Sequence, residues 1–119
     1  MKKRIARRLK QFSIKHESEL TNLVIEGAET GESLSDHDRR YLEKFSELEV
    51  LAFTETGIKN IANLPDLPKL MRLELCYNKI ESGLEVLCQY PLLRILKMRY
   101  NSISTFEAIK PLAGVRLLN

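Results

Sequence analysis

The chain has 119 residues, a formal net charge of +3, 44% hydrophobic and 29% charged residues, so it is long enough to bury a core and too apolar for a disordered tail. No apolar run approaches the roughly 20 residues of a membrane span, and no apolar h-region marks a secretory signal. Cys76 and Cys88, the two cysteines, make neither a disulfide framework nor a metal-ligand spacing, which points to a reducing, intracellular setting.

The charge is unevenly divided. Residues 1–16 carry Lys2, Lys3, Arg4, Arg7, Arg8, Lys10 and Lys15 and no acid, whereas the remainder holds 12 basic and 16 acidic residues. Ile5, Leu9 and Phe12 stand at i, i+4 and i+7 on one helical face. The spacing predicts a basic helix over 1–18 that caps the first repeating unit, with its charges in solvent. A nuclear-import or nucleic-acid patch is the sharper alternative for such a cluster.

From residue 20 onward one frame recurs, L-x-x-L-x-L-x-x-N-x-I. Leu70, Leu73, Leu75, Asn78 and Ile80 are its best copy, and Leu93, Leu96, Met98, Asn101 and Ile103 form the next. Leu48, Leu51, Phe53, Thr56 and Ile58 form a looser copy, and Leu20, Leu23, Ile25 and Ala28 the loosest. The starts are 28, 22 and 23 residues apart, and a fifth copy begins with Val115 and Leu118. A period in the low twenties with this content marks leucine-rich repeats. Each x-L-x-L-x segment alternates as a short strand buried on one face does. The Asn positions fall where the chain leaves its strand, where a short amide can satisfy backbone groups at the bend. Thr56 and Ala28 do this less well, so the first units are expected to pack less regularly.

Between the first two strands, Gly27 to Asp38 is the one stretch that reads as loosely ordered. Ser35 followed by Asp38 marks a helix start before Tyr41, Leu42 and Phe45. Further on, Ile58, Ile61, Leu64, Leu67 and Leu70 are spaced by three, as are Ile103, Phe106, Ile109, Leu112 and Val115. That spacing fits short helical or 3₁₀ turns, and Pro65, Pro68, Pro91 and Pro111 fall there, where no sheet hydrogen bond is lost. The expected fold is α/β: a leucine-rich repeat solenoid with a curved parallel sheet on its concave side, short helices or 3₁₀ turns on its convex side, and an N-terminal capping helix. One domain spans 1–119, with about four and a half repeats over 19–119 and a C-terminal cap missing.

Chemistry is sparse. Ser35-Asp36-His37-Asp38 contains triad letters, but adjacent residues cannot assemble nucleophile, base and orienter. No phosphate-cradling loop, metal pair or cofactor fingerprint is present, so neither an enzyme nor a cofactor is expected. Ser33 and Ser35 are phosphorylation candidates from their acidic surroundings. The outward strand residues are the candidate protein-binding set: Glu26, Thr54, Glu55, Arg72, Glu74, Tyr77, Lys97, Arg99 and Tyr100. They run from acidic to basic along the chain. Tyr77 and Tyr100 are equivalent positions one repeat apart and should lie side by side, flanked by Arg72, Lys97 and Arg99. Aromatic and Arg residues are the usual anchors of interfaces; the plainer reading is a solvated sheet on which two tyrosines cover each other. Cys76 is read as exposed on the same face. A raw sheet edge near Val115 would invite weak self-association.

Ile61-Ala62-Asn63-Leu64-Pro65 followed by Leu67, and Gly83-Leu84-Glu85-Val86-Leu87 on the next unit, resemble the acidic leucine-rich nuclear phosphoprotein 32 family. The layout of Arg7-Arg8, Leu20 to Ile25 and Leu48-Glu49-Val50-Leu51 is similar as well, so the resemblance covers roughly residues 4–112. It implies a non-catalytic adaptor of nucleus and cytoplasm whose relatives are histone-binding chaperones, phosphatase inhibitors and partners in transcription and messenger-RNA export. The family's acidic tail and C-terminal cap have no counterpart here, and its members tend to be more acidic on the concave face. A phosphatase regulatory subunit, and a spliceosomal or RNA-processing adaptor holding an RNA-binding protein, are the alternatives. Direct nucleic-acid binding is not expected.

Overall fold

The structure, a computed structural model, describes residues 19–27 and 30–103. Strands β1 (Asn22–Glu26), β2 (Val50–Thr54), β3 (Arg72–Glu74) and β4 (Ile95–Lys97) form one parallel sheet in chain order. Asn22 pairs with Val50, Val50 with Arg72 and Arg72 with Ile95, so the register steps are 28, 22 and 23 residues, those of the repeating frame. The reason is packing. Leu23, Leu51, Leu73 and Leu96 fall in one row across the sheet, and all four are buried. A slip of one residue would turn every leucine of a strand to the other face, at about 2 kcal/mol for each.

Behind the sheet, each connection returns the chain through a different short element. The first contains helix α1 (Asp36–Leu42), whose N-cap is Ser35: its hydroxyl oxygen accepts from the Asp38 amide at 3.1 Å. Asp36 and Asp38 sit in the first turn, where the exposed N–H groups favour negative charge. Tyr41 and Leu42 are buried, and Tyr41 meets Phe45 edge-on at 5.6 Å. In the second connection Ile58, Ile61, Leu64, Leu67 and Leu70 are all buried, joined by turns. The third holds a 3₁₀ helix, Leu84–Gln89, that buries Leu84, Val86 and Leu87. The small parallel sheet with short helical returns is compatible with the α/β, leucine-rich-repeat-like arrangement expected from the frame.

Gly83 opens that 3₁₀ helix with φ 89°, and a side chain there would collide with the neighbouring unit. A Cβ would lie 2.5 Å from the Ala62 amide nitrogen and 2.8 Å from that of Ile61, and closer still to Asn60 Oδ1. Glycine is required on both counts.

One expectation is corrected. Residues 30–38 are ordered: Ser33 pairs with Asn60, Leu34 is buried, and the Asn63 amide donates to the Leu34 carbonyl at 2.6 Å. The first two units also hold the longer strands, five residues each against three in β3 and β4. Strand length follows the apolar runs Leu23 to Ile25 in β1 and Val50 to Phe53 in β2. The capping helix over 1–18, Ala28, and all of 104–119, including the fifth copy and its sheet edge, lie outside the described residues.

Candidate functional site

Where each strand ends, two consecutive residues do different work. The second is the Asn of the frame. Asn78 is buried, and its amide donates to the carbonyls of Phe53 at 2.8 Å, Leu75 at 3.0 Å and Cys76 at 3.3 Å. Its Oδ1 accepts from the Thr56 amide at 2.9 Å and the Thr56 hydroxyl at 2.8 Å. Asn101 repeats the pattern, donating to Leu75 O at 2.8 Å and Met98 O at 2.9 Å while accepting from the Ile80 amide at 3.0 Å. The amides therefore tie each unit to the one before it as well as closing their own bend. Thr56 is no failed Asn: its hydroxyl is a donor into the next unit's amide.

The first of the two residues has a positive φ in all four units: Gly27 at 71°, Glu55 at 55°, Tyr77 at 59° and Tyr100 at 61°. The left-handed conformation redirects the chain out of the sheet. The Glu55 amide donates to Tyr77 O at 3.2 Å and the Tyr77 amide to Arg99 O at 2.9 Å, so the row is pinned from unit to unit. For a residue with a Cβ this conformation costs roughly 1–2 kcal/mol.

Tyr77 and Tyr100 accept that cost while 54% and 68% exposed. Their rings stack with centroids 4.6 Å apart and planes 10° from parallel. Neighbouring parallel strands are spaced at about 4.8 Å, so identical backbone angles one unit apart set two rings at stacking distance. The stack returns about 0.5–1.5 kcal/mol, less than the two backbones together lose.

Beside the stack, the open sheet face carries a small ionic cluster. Arg72 Nη2 lies 2.9 Å from Glu74 Oε1, and Lys97 Nζ reaches the same oxygen at 3.9 Å from the opposite register position. Arg72 and Lys97 are thus engaged with Glu74 and do not simply flank the tyrosines. Arg99, between β4 and Tyr100, is exposed and has no ion pair among the described residues. Of the other expected residues, Glu55 stands next to Tyr77 in the left-handed row, whereas Glu26 and Thr54 pair with each other at the opposite end of the sheet. Ala52, which points the same way, is buried because its methyl does not reach past the flanking strands. Cys76 is half-buried, not exposed. The two-residue bend could have been found by aligning Gly27 with Glu55, Tyr77 and Tyr100, since a glycine there signals the backbone that the others must copy.

Behind the sheet, Tyr90 is buried and its hydroxyl donates to Pro65 O at 2.6 Å. Burial, then the charge of Asp66, hold its phenol well above the ordinary 10.0, so it stays a neutral donor that ties two units together. Among the described residues no group of three or more His, Cys, Asp or Glu could hold a metal ion, and no helix is long and apolar enough to cross a membrane.

Acidic leucine-rich nuclear phosphoprotein 32 family member A of Drosophila pseudoobscura pseudoobscura is 37% identical over 76 residues, 64% of this chain. The protein of the same name from Drosophila melanogaster is 37% identical over 70 residues, 59% of this chain. Over about 60% of its length the chain is similar to these two members of the acidic leucine-rich nuclear phosphoprotein 32 family. The matched segment spans 29% and 27% of those two relatives, so it covers less than a third of the length of either phosphoprotein 32 protein. No family model matches the chain.

Proposed function

We propose that this chain is a non-catalytic protein-interaction adaptor that works in the nucleus and the cytoplasm. In this reading residues 1–119 are one leucine-rich repeat solenoid, capped by the basic helix over 1–18, and the open sheet face is its concave partner surface. The supporting observation is the exposed Tyr77–Tyr100 stack, 4.6 Å between centroids, held in a backbone conformation that disfavours such side chains. A solvated sheet end gains nothing from keeping tyrosines there; a partner surface gains two rigid aromatic anchors beside Arg99. The relatives are named nuclear phosphoproteins, which supports the nuclear part of the reading. Histone chaperoning and phosphatase inhibition are the roles carried over from the resemblance.

A second reading is favoured by the basic residues on β3 and β4. A phosphatase catalytic subunit or an RNA-binding protein would meet that end of the face, with binding weakened by salt. The test is a pull-down from nuclear extract with the chain and with a Tyr77→Ala/Arg99→Ala variant, proteins identified by mass spectrometry. Histones recovered equally by both support the chaperone role and move its site off this face. A phosphatase subunit or RNA-binding protein lost in the variant supports the second reading. Recovery of neither class rejects both.

A further inference from the structure

The ionic balance of the open face identifies what the tyrosine stack is suited to hold. β3, β4 and the nearby Arg99 present Arg72, Lys97 and Arg99 against Glu74 alone, an excess of two positive charges. Glu74 Oε1 serves both Arg72 and Lys97, the latter at 3.9 Å, and Arg99 has no ion pair among the described residues. One unit before the stack stands the exposed carboxylate of Glu55, and Glu26 lies at the far end of the same sheet. The face is polarised along the direction in which the strands stack, and the stack sits at its positive end.

We propose, building on the adaptor reading, that the Tyr77–Tyr100 stack and Arg99 grip an acidic segment of a partner protein, with Lys97 as the second cation. The stacked tyrosines supply a rigid block of ring edges at the centre of the contact. Arg99 offers a carboxylate a two-pronged set of donors that no neighbouring acid occupies among the described residues. Glu55, adjacent to Tyr77 in the row, repels an acidic segment that runs the wrong way and so fixes its direction. Single-stranded nucleic acid fits less well. A base-stacking platform needs open ring faces along a continuous basic track, but these rings cover each other and Glu55 interrupts the track.

The test is a titration of the full ¹⁵N-labelled chain with a glutamate-rich peptide of about a dozen residues, tracked by backbone amide shifts. The site-specific readout is needed because residues 1–16 carry seven positive charges of their own. The expected result is saturable shifts at Tyr77, Arg99 and Tyr100, with affinity there reduced at least tenfold in Arg99→Glu and in Tyr77→Gly/Tyr100→Gly. The glycine pair keeps the left-handed backbone, so its folded spectrum separates lost binding from lost structure. Shifts confined to residues 1–16, unchanged affinity in either variant, or tighter capture of an oligothymidine of similar length at the same amides each overturn the proposal. If a natural partner is lost in the Tyr77→Ala/Arg99→Ala pull-down yet the peptide leaves these amides unmoved, acid recognition fails while the adaptor reading stands.

Discussion

Replacing Asn78 with alanine removes one side chain and breaks five hydrogen bonds at once. The Phe53 and Leu75 carbonyls lose donors at 2.8 and 3.0 Å, the latter keeping its bond from Asn101, the Cys76 carbonyl loses a longer one at 3.3 Å, and the Thr56 amide and hydroxyl lose an acceptor at 2.9 and 2.8 Å. The site is 7% exposed, so water replaces these partners poorly. At about 1 kcal/mol net for each hydrogen bond, the loss is about 4 kcal/mol, reduced to about 3 where the Thr56 hydroxyl turns to another acceptor. Asn101 makes three comparable bonds at a half-exposed position, so Asn101→Ala should cost about 1–2 kcal/mol. The assay is equilibrium urea unfolding monitored by circular dichroism. With an m-value of about 1.5 kcal/mol per molar urea, Asn78→Ala lowers the midpoint by about 2 M. Asn78→Asp keeps the volume and removes the donors, and it turns a carboxylate toward carbonyl oxygens. Its folded-state pKa is therefore raised, and its stability, poor at neutral pH, should recover as pH falls through the carboxylate range. A cost below 1 kcal/mol for Asn78→Ala, or one no larger than that of Asn101→Ala, would refute the idea that this amide joins neighbouring units.

Gly83→Ala should cost about 3 kcal/mol or more, because it adds a backbone collision to the left-handed penalty, while Gly57→Ala meets nothing within 4 Å and should cost about 1 kcal/mol. Paired denaturation curves check the difference, and equal costs would mean that the neighbouring unit yields. Tyr77→Gly should leave stability within about 0.5 kcal/mol of the parent, since the backbone gain and the lost stack nearly cancel; a loss above 1.5 kcal/mol in thermal unfolding would make the tyrosine a structural residue. Tyr90→Phe should cost about 1–2 kcal/mol by leaving the Pro65 carbonyl without its 2.6 Å donor. Because the phenol's pKa is raised on folding above 10.0, its contribution is complete below pH 10 and lost as pH rises beyond it. Stability curves run from pH 8 to 11 should therefore fall more steeply for the parent than for Tyr90→Phe, and parallel curves would contradict the assignment.

The register of the sheet was legible because a leucine on the wrong face is expensive, so spacings of 28, 22 and 23 residues in the chain became the pairing steps. The helix start at Ser35 was legible for a local reason, a hydroxyl three residues before the amide it accepts from. Other features depended on the neighbouring unit. Nothing in the letters Glu55, Tyr77 or Tyr100 announces a positive φ, and only alignment with Gly27 hints at it. Thr56 looked like a weakened Asn because its hydroxyl's acceptor lies 22 residues away in Asn78. The Glu74 clamp was hidden in the same way, since Lys97 reaches it across the sheet, and Arg72 was read only as flanking the tyrosines until that carboxylate was placed. Residues 30–38 read as loose because their composition is polar; a single buried Leu34 and the reach of Asn63 decide otherwise.

The left-handed row also bears on how readily this surface can be retargeted. Its backbone angles are fixed by the turn out of each strand and by amide-to-carbonyl bonds between units, not by the side chains that occupy it. Glycine, glutamate and tyrosine already sit in the same setting without altering it. Each position behaves as a socket whose occupant can be exchanged at a small, calculable penalty. Sockets on successive units are one strand spacing apart, so two exchanged residues arrive already in contact. A lineage or a designer can therefore rewrite the recognition element by point changes along the row, leaving the leucines that build the core untouched.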